Sequence, residues 1–180
     1  MAKVYEFLAN GFEEIEGLAP VDILRRGGVE IKTVSITGAE WVETSHGVTV
    51  KADLKFEDIA DFDDADMLLL PGGMPGSTNL KAHEGVCQAL LKQHAAGKRI
   101  GAICAAPLVL GSLGLLKGRK ATCYPGMEDG MKGSTPEKKN AVTDGKIITG
   151  CGVGGALDFA CELITALCGK AKADEIAESV

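Results

Sequence analysis

The sequence predicts an α/β protein with a doubly wound, mostly parallel sheet and helices on both faces. Short β-rich runs alternate with helical stretches, and repeated strand–helix–strand units form parallel sheets. The segment from Asp66 to Pro71 carries an unbroken apolar run between turn residues, which is typical of a central strand covered on both faces. The 180 residues are 46% hydrophobic and contain no linker-like stretch and no internal repeat, so we expect a single domain over residues 1–180.

Hydrophobic spacing and turn residues predict the elements of the first half. In chain order these are a strand over 4–9, a helix over 13–26, a strand over 29–36 and a hairpin of 41–44 with 48–52. The predicted helix is ended by Gly27 and Gly28, and Pro20 inside it predicts a kink or a shortened first segment. Its near-helical spacing involves Ile15, Leu18, Ala19, Asp22 and Ile23.

The second half continues the alternation of strands and helices. We predict a strand within 66–71, a helix over 86–96, a strand over 99–103, a helix over 105–116, a short strand over 121–123, an Asp-Gly hairpin over 142–149, a closing helix over 153–167 and a helical or frayed end over 171–180.

Composition excludes several classes of function. A formal net charge of −6 provides no basic surface for a phosphate backbone, so we expect no direct nucleic-acid binding. The apolar runs are far shorter than the roughly 20 residues that cross a bilayer, and the first residues lead into a strand without a signal-peptide pattern. The six cysteines include no Cys-x-x-Cys pair and the three histidines are scattered, so we expect no metal. Reduced cysteines indicate a soluble, cytoplasmic protein.

Cys104 lies where an apolar strand runs into an alanine-rich helix. Such a helix begins with unpaired N–H groups and the positive end of its dipole, so we expect the thiol to ionise easily to the nucleophilic thiolate. A tight strand-to-helix turn at this point predicts a nucleophile elbow. The competing interpretation is an inert, buried packing cysteine.

Two further segments should reach the same edge of the sheet, because sites in doubly wound sheets form outside the carboxyl ends of the strands. Glu13 and Glu14 are explained by a solvated acidic helix start, whereas Glu16 either belongs to that start or points inward as a carboxyl that exchanges a proton. The pair Gly72-Gly73 either forms an ordinary tight turn or presents N–H groups that join that of Ala105 around an oxyanion.

These motifs resemble the ThiJ/PfpI superfamily, and most of all its parkinsonism-associated, YajL-like branch. The resemblance covers nearly the whole chain and is carried by the segments 13–16, 20–27, 70–73, 102–107 and 158–160. It implies a flavodoxin-like sandwich, usually a homodimer, with an oxidation-prone cysteine at the elbow. By the same resemblance Cys104 is the nucleophile, Glu16 its partner acid, and the amides of Gly73 and Ala105 the oxyanion site.

Tyr124 marks a departure from that family. Many members carry histidine either directly after the nucleophile or at the position of Tyr124, and here these positions hold Ala105 and Tyr124. No Cys–His pair is expected, so protease-like chemistry is disfavoured. Tyr124 either donates a hydrogen bond to substrate or packs as a wall. Arg26 and His46 fall in regions that approach the site across the family's dimer, and neither is assigned a catalytic role.

The resemblance implies a glyoxalase or deglycase that needs no cofactor. Its substrates would be glyoxal, methylglyoxal and their early adducts with thiols and amines, attacked by Cys104 while Glu16 shuttles the proton. The alternative is an oxidative-stress sensor or redox-regulated chaperone that acts through oxidation of Cys104. In either case we expect Cys104 to be the most reactive of the six thiols, and Cys161 and Cys168 to be buried and slow to react.

Overall fold

The computed structural model describes residues 1–180 and contains one seven-stranded sheet between two layers of helices, with two small separate sheets. The strands are β1 (Lys3–Leu8), β2 (Glu30–Ser35), β3 (Trp41–Glu43), β4 (Thr49–Lys51), β5 (Leu54–Lys55), β6 (Met67–Leu70), β7 (Arg99–Ile103), β8 (Lys120–Ala121), β9 (Thr135–Pro136), β10 (Ala141–Asp144) and β11 (Ile147–Gly150). The helices are α1 (Glu14–Arg26), α2 (Gly76–Ala82), α3 (Glu84–Ala95), α4 (Pro107–Ser112), α5 (Ala156–Cys168) and α6 (Lys170–Ala177).

The large sheet has the order β10-β11-β7-β6-β1-β2-β5, and only β10 runs antiparallel to its neighbour. The predicted α/β class with a doubly wound, mostly parallel sheet is therefore confirmed. β6 is fully buried near the middle, as its apolar sequence predicts. The chain proceeds from β1 outward to β2 and then returns to the other side of β1 as β6. The strand order thus reverses between β1 and β6, where ligands bind in sheets of this kind.

Two hydrophobic cores cover the two faces of the sheet. One face packs against α1, α5 and α6, whose buried side chains include Leu24, Phe159 and Ile176. The other packs against α2, α3 and α4 through side chains such as Leu80 and Leu90. With both faces covered, the sheet itself is accessible to a ligand at the ends of its strands. No helix is long and apolar enough to cross a membrane.

The buried face of α1 differs from the predicted one. Ile15 and Leu18 point outward, with 49% and 39% of their surface exposed, while the inward stripe consists of Glu16, Gly17, Pro20, Val21, Ile23 and Leu24. Gly17 explains why this face of α1 turns inward, because the helix approaches so closely there that a Cβ on Gly17 would lie 2.7 Å from the Phe12 ring and 3.6 Å from Pro71. The helix also runs unbroken through Pro20, contrary to the predicted shortening.

Two elements are shorter than predicted. The helix expected over 105–116 is confined to α4, because residues 104–106 form the elbow and Pro107 takes the first helical position. Gly114 then adopts a left-handed φ of 75°, which ends the helical course. The strand expected over 121–123 is limited to β8, since the Thr122 amide donates to the Thr149 hydroxyl (2.9 Å) instead of a strand ladder.

Candidate active site

Cys104 forms a strained elbow at the carboxyl end of β7. Its φ of 63° lies in the left-handed region, and no other non-glycine residue has a positive φ. The backbone is held on both sides, because the Cys104 amide donates to the Gly150 carbonyl and the Cys104 carbonyl accepts from the Tyr124 amide, both at 2.9 Å. The side chain is 8% exposed. The elbow predicted from the sequence is therefore present, and it aims the thiol away from the strand.

Glu16 lies beside the thiol, on the inward face of the first turn of α1. Its side chain is 1% exposed. One carboxyl oxygen, Oε2, sits over Gly72 next to the Cβ of Cys104 and has no conventional hydrogen-bond partner. The other, Oε1, faces Gly152. Of the two readings of Glu16 the structure selects the inward one.

The Gly72-Gly73 turn supplies the backbone that closes the site. A Cβ on Gly72 would lie only 2.5 Å from the Cβ of Cys104 and would also meet Glu16 Oε2, so this position admits no side chain. Gly73 has a φ of 86°. The amides of Gly73 and Ala105 both lie near enough to the Cys104 sulfur to lower its pKa. The sequence-predicted group of Cys104, Glu16, Gly73 and Ala105 is thus brought together at the edge where the strand order reverses.

Burial governs the protonation of this pair. Burial is the main reason that the pKa of Glu16 is raised to about 7, and the charge of Glu13 raises this pKa further. The Cys104 thiol and, after it, the amides of Val153 and Gly72 lower it. The pKa of Cys104 is raised to about 12, first by burial, then by the charge of Glu16 and by a hydrogen bond to Glu16. The amides of Gly73 and Ala105 lower this pKa. Two of the three causes that hold the proton on sulfur therefore come from the Glu16 carboxylate.

The expectation that Cys104 ionises easily is wrong for the resting site. α4 has only six residues and begins at Pro107, so its dipole does not act directly on a thiol that lies in the preceding turn. Burial and the Glu16 carboxylate keep the thiol protonated. A protonated Glu16 lacks this negative charge and therefore opposes ionisation of the thiol less.

Tyr124 stands at the open side of the site. A Cβ on Gly152 would lie 3.4 Å from the Tyr124 ring and 3.7 Å from Glu16 Oε1, so the ring and the carboxyl face each other across this glycine. Tyr124 is 52% exposed. A half-exposed ring beside the carboxyl suits either a substrate contact or a wall, and both interpretations remain.

Glu13 and Glu14 differ from each other, which corrects the view that both are solvated. Glu13 is 9% exposed and its Oε2 accepts from the Glu16 amide at 2.8 Å. Glu14 pairs with the exposed His46 at 3.0 Å, which raises the His46 pKa. Ligand atoms of these three side chains lie within 4.8 Å of one another. Each already has a partner within the chain, and we assign no metal to them.

The remaining cysteines include one error of prediction. All six thiols are free. Cys161 is half-buried as part of α5, but Cys168 at the end of that helix is exposed, so its predicted slow reaction is not supported by burial. Cys123 is 5% exposed, and burial raises its pKa to about 11. Cys123 and Cys151 line a neighbouring cavity of about 370 Å³ that does not include Cys104.

A buried cysteine at a strand-to-helix elbow, faced by a glutamate in a doubly wound sheet, defines a recognisable class of α/β proteins. The model of the DJ-1/PfpI family matches residues 2–166, and the chain belongs to this family. This agrees with the resemblance found from the sequence.

Relatives and solved structures extend the match over the whole chain. Protein DJ-1 homolog B of Arabidopsis thaliana is 39% identical over 176 residues, 97% of this chain and 40% of that protein, so the chain spans less than half of its length. Deglycase PH1704 of Pyrococcus horikoshii is 34% identical over 149 residues, 82% of this chain and 88% of that protein. The structure of oxidized Toxoplasma gondii DJ-1 aligns with a TM-score of 0.95 at 36% identity, covering 99% of this chain and 97% of that one. The flavodoxin-like fold is thereby confirmed.

Proposed function

We propose that the protein is a cysteine-dependent glyoxalase or deglycase that acts on glyoxal, methylglyoxal and their early adducts with thiols and amines. One observation carries this proposal: the Cys104 sulfur, the Glu16 carboxyl and the amides of Gly73 and Ala105 converge in one buried spot. The 34% identity to a protein named as a deglycase supports it. No cofactor is needed for the reaction that these groups can perform.

The first step is addition of sulfur to the aldehyde. Glu16 takes the thiol proton, and the sulfur lone pair forms a C–S bond with the aldehyde carbon while the carbonyl π electrons move to oxygen. The amides of Gly73 and Ala105 are positioned to stabilise the resulting oxyanion, which then takes the proton from Glu16. The product of this step is a hemithioacetal on Cys104, with Glu16 again a carboxylate.

The second step moves a proton between adjacent carbons. For methylglyoxal, Glu16 removes the hydrogen from the carbon bonded to sulfur, and the C–H electron pair forms the double bond of an enediolate as the neighbouring carbonyl oxygen takes up the negative charge. Glu16 then returns the proton to the neighbouring carbon, while the hydroxyl on the sulfur-bearing carbon gives up its proton to the neighbouring oxygen and becomes the carbonyl, which leaves a lactoyl thioester. Water then cleaves the C–S bond, releasing lactate and restoring the thiol. A carboxyl whose pKa lies near 7 is suited to both directions of this transfer.

Turnover and labelling of the same sample test this proposal. Purified protein is expected to convert methylglyoxal to lactate, followed by ¹H NMR. Brief iodoacetamide treatment should remove this turnover in proportion to alkylation of Cys104 measured by mass spectrometry, because Cys104 alone has a partner base. Loss of turnover that follows alkylation of Cys123 or Cys151 instead would contradict the assignment.

A redox sensor is the second candidate, supported by the similarity to a DJ-1 structure determined in an oxidized state. The amides around Cys104 could hold the oxygens of a sulfinate, and Glu16 could donate a hydrogen bond to it. Selective oxidation of Cys104 by mild peroxide, without detectable lactate formation, would favour this function and redox-regulated chaperone action over catalysis.

We also propose a homodimer in the cytoplasm. Ile15 and Leu18 form an exposed apolar strip on α1, and Val48 of the adjoining hairpin is 48% exposed, which together suit contact with a second copy. Six free thiols suit a reducing compartment. Sedimentation equilibrium of the wild-type protein and of the Leu18→Glu variant measures the association; a monomeric wild-type protein would contradict it.

A further inference from the structure

Glu13 is a buried acid that the proposed reaction does not use. It is 9% exposed and occupies the residue before α1, with extended backbone at φ −82° and ψ 123°. Its Oε2 accepts from the Glu16 amide at 2.8 Å, and its carbonyl accepts from the Gly17 amide at 3.1 Å. The glutamate therefore holds the turn of helix on which Glu16 is carried.

Helix stability alone does not explain a glutamate at this position. Serine, threonine, aspartate and asparagine are the preferred residues before a helix, because their short side chains reach the free amides directly. Glutamate makes the same contact with a longer side chain and brings a negative charge into the interior beside a second carboxyl. That arrangement is unfavourable for folding and suggests a role in the site.

The backbone of Glu13 also contacts the Gly72-Gly73 turn. Its amide donates to the Gly72 carbonyl at 3.0 Å. A Cβ on Gly73 would collide with the Glu13 amide nitrogen and would lie 2.8 Å from the Phe12 carbonyl carbon, so the two segments are in direct backbone contact. One residue thus touches both the segment that carries Glu16 and the segment that points an amide at Cys104.

We propose that Glu13 is a positioning residue for the Cys104 site: its carboxylate, which accepts from the Glu16 amide at 2.8 Å, fixes the orientation of Glu16 against the Gly72-Gly73 turn. Because this carboxylate is bonded to the Glu16 backbone, its charge also adds to burial in raising the pKa of Glu16. The catalytic part of this inference rests on the proposed function, whereas the protonation of Glu16 can be measured without any turnover.

The charged groups around the pair are few. Glu14 follows Glu13 on α1, His46 approaches from the turn between β3 and β4, and Cys104 faces Glu16 from the elbow. From beyond β11, Cys151, whose pKa is raised mainly by burial, is close enough for the charge of Glu16 to raise it further, and Tyr124 faces the carboxyl across Gly152. Of the neighbouring acids only Glu13 acts on Glu16, whose pKa it raises. Glu14 is instead paired with His46, which makes it a matched control for the loss of one negative charge from the same turn.

The test compares Glu13→Gln, Glu13→Ala and the control Glu14→Gln in the full-length protein. The Glu16 carboxyl is titrated by ¹³C NMR, the rate of Cys104 alkylation by iodoacetamide is recorded against pH, and lactate formation is measured. Glu13→Gln retains the oxygen that accepts from the Glu16 amide but lacks the charge, so the Glu16 midpoint and the pH profile of alkylation are expected to move to lower pH. Glu13→Ala loses both, and its turnover is expected to fall about tenfold to a hundredfold below that of Glu13→Gln.

Three results overturn the inference. The Glu16 midpoint could be the same in Glu13→Gln as in the wild type, Glu14→Gln could shift it equally, or Glu13→Ala could match Glu13→Gln in turnover. If Glu13→Ala does not fold, the Glu13→Gln titration still decides the effect of the charge. If the wild-type protein forms no lactate and Glu13→Gln still shifts the Glu16 midpoint as expected, the proposed function is refuted and the positioning role remains.

Discussion

Glu6 in β1 and Glu16 in α1 are both buried glutamates, yet their surroundings differ. Glu6 is 0% exposed and neither of its carboxyl oxygens has a hydrogen-bond partner. Arg25, the cation that lowers the pKa of Glu6, is itself bonded to Asp53 at 2.8 Å. Glu16 is equally buried but faces a thiol and several backbone amides. Burial raises the pKa of both side chains, and Arg25 lowers that of Glu6 only in part.

The difference shows that a raised pKa does not by itself identify a catalytic group. Burial raises the pKa of Glu6 well above its ordinary value, but neither of its oxygens has a hydrogen-bond partner with which to exchange a proton. Glu16 has Cys104 beside it, so in the proposed mechanism the same physical effect places a proton between two reacting atoms. The comparison can be tested at each of its parts.

Removal of the partner thiol should have the largest effect. Cys104→Ser retains the size of the side chain but replaces sulfur with a much weaker nucleophile, so lactate formation should fall to background with the fold unchanged by circular dichroism. Cys123→Ser is the matched control, because Cys123 is also buried but has no facing base, and it should retain wild-type turnover. Substantial turnover by Cys104→Ser would remove the thiol from the mechanism.

Replacement of each glutamate by its amide separates the two sites. Glu16→Gln keeps the packing and removes the proton shuttle, and turnover is expected to fall roughly 10²–10⁴-fold. Glu6→Gln should leave turnover unchanged, because Glu6 does not contact the reacting atoms. Steady-state kinetics on both variants make the comparison, and equal losses would mean that Glu16 acts only through the fold.

The free energy of unfolding, unlike turnover, should depend on Glu6. The folded state raises the pKa of Glu6, so it binds more protons than the unfolded chain, and stability is lost as pH rises from about 4.5 through the higher folded value. Glu6→Leu removes two buried oxygens without partners and should raise the free energy of unfolding by about 1–3 kcal/mol at pH 5, with a larger gain at pH 8.

Urea denaturation at both pH values measures this gain. Glu43→Leu serves as control, because Glu43 lies exposed on β3 and should change stability by no more than about 0.5 kcal/mol. A gain for Glu6→Leu that is identical at pH 5 and pH 8 would show that Glu6 does not titrate in this range.

The smallest effect is expected at Tyr124, on the open side of Glu16. A phenol is a poorer base than an imidazole at neutral pH, so the useful role of Tyr124 is to donate one hydrogen bond to substrate. Tyr124→Phe should therefore weaken kcat/KM by about 0.5–1.5 kcal/mol, or roughly tenfold at most. A loss as complete as that of Cys104→Ser would make the phenol a primary catalytic group, whereas no loss would leave it as a wall.

The sheet was predictable because its strands carry strong local signals. The apolar run of β6, the alternation of β2 and the Asp-Gly turn between β10 and β11 each indicate a strand without tertiary information. The outward orientation of Ile15 and Leu18 was not predictable, since it depends on how closely Gly17 approaches Phe12. α2 was missed altogether because its seven residues, GSTNLKA, contain few apolar positions.

The site was predictable in its members but not in its electrostatics. Position at the ends of β1, β6 and β7 was enough to bring Cys104 and Gly73 together with Glu16. The protonated resting thiol depends on burial and on the facing carboxylate, neither of which can be read from local sequence. The capping contact of Glu13 with the Glu16 amide could not be predicted, because glutamate is not among the residues preferred before a helix and the sequence favours a solvated acid there.

The left-handed backbone at Cys104 has a consequence for protein engineering. An L-residue in this region costs about 1–2 kcal/mol, a penalty that glycine escapes. In a library sorted only for survival after heating, Cys104→Gly would relieve this strain and delete the thiol, and the lost chemistry would carry no penalty. Thermostable variants that lack the reactive thiol would then accumulate, unless each round of selection also measured a reaction of Cys104.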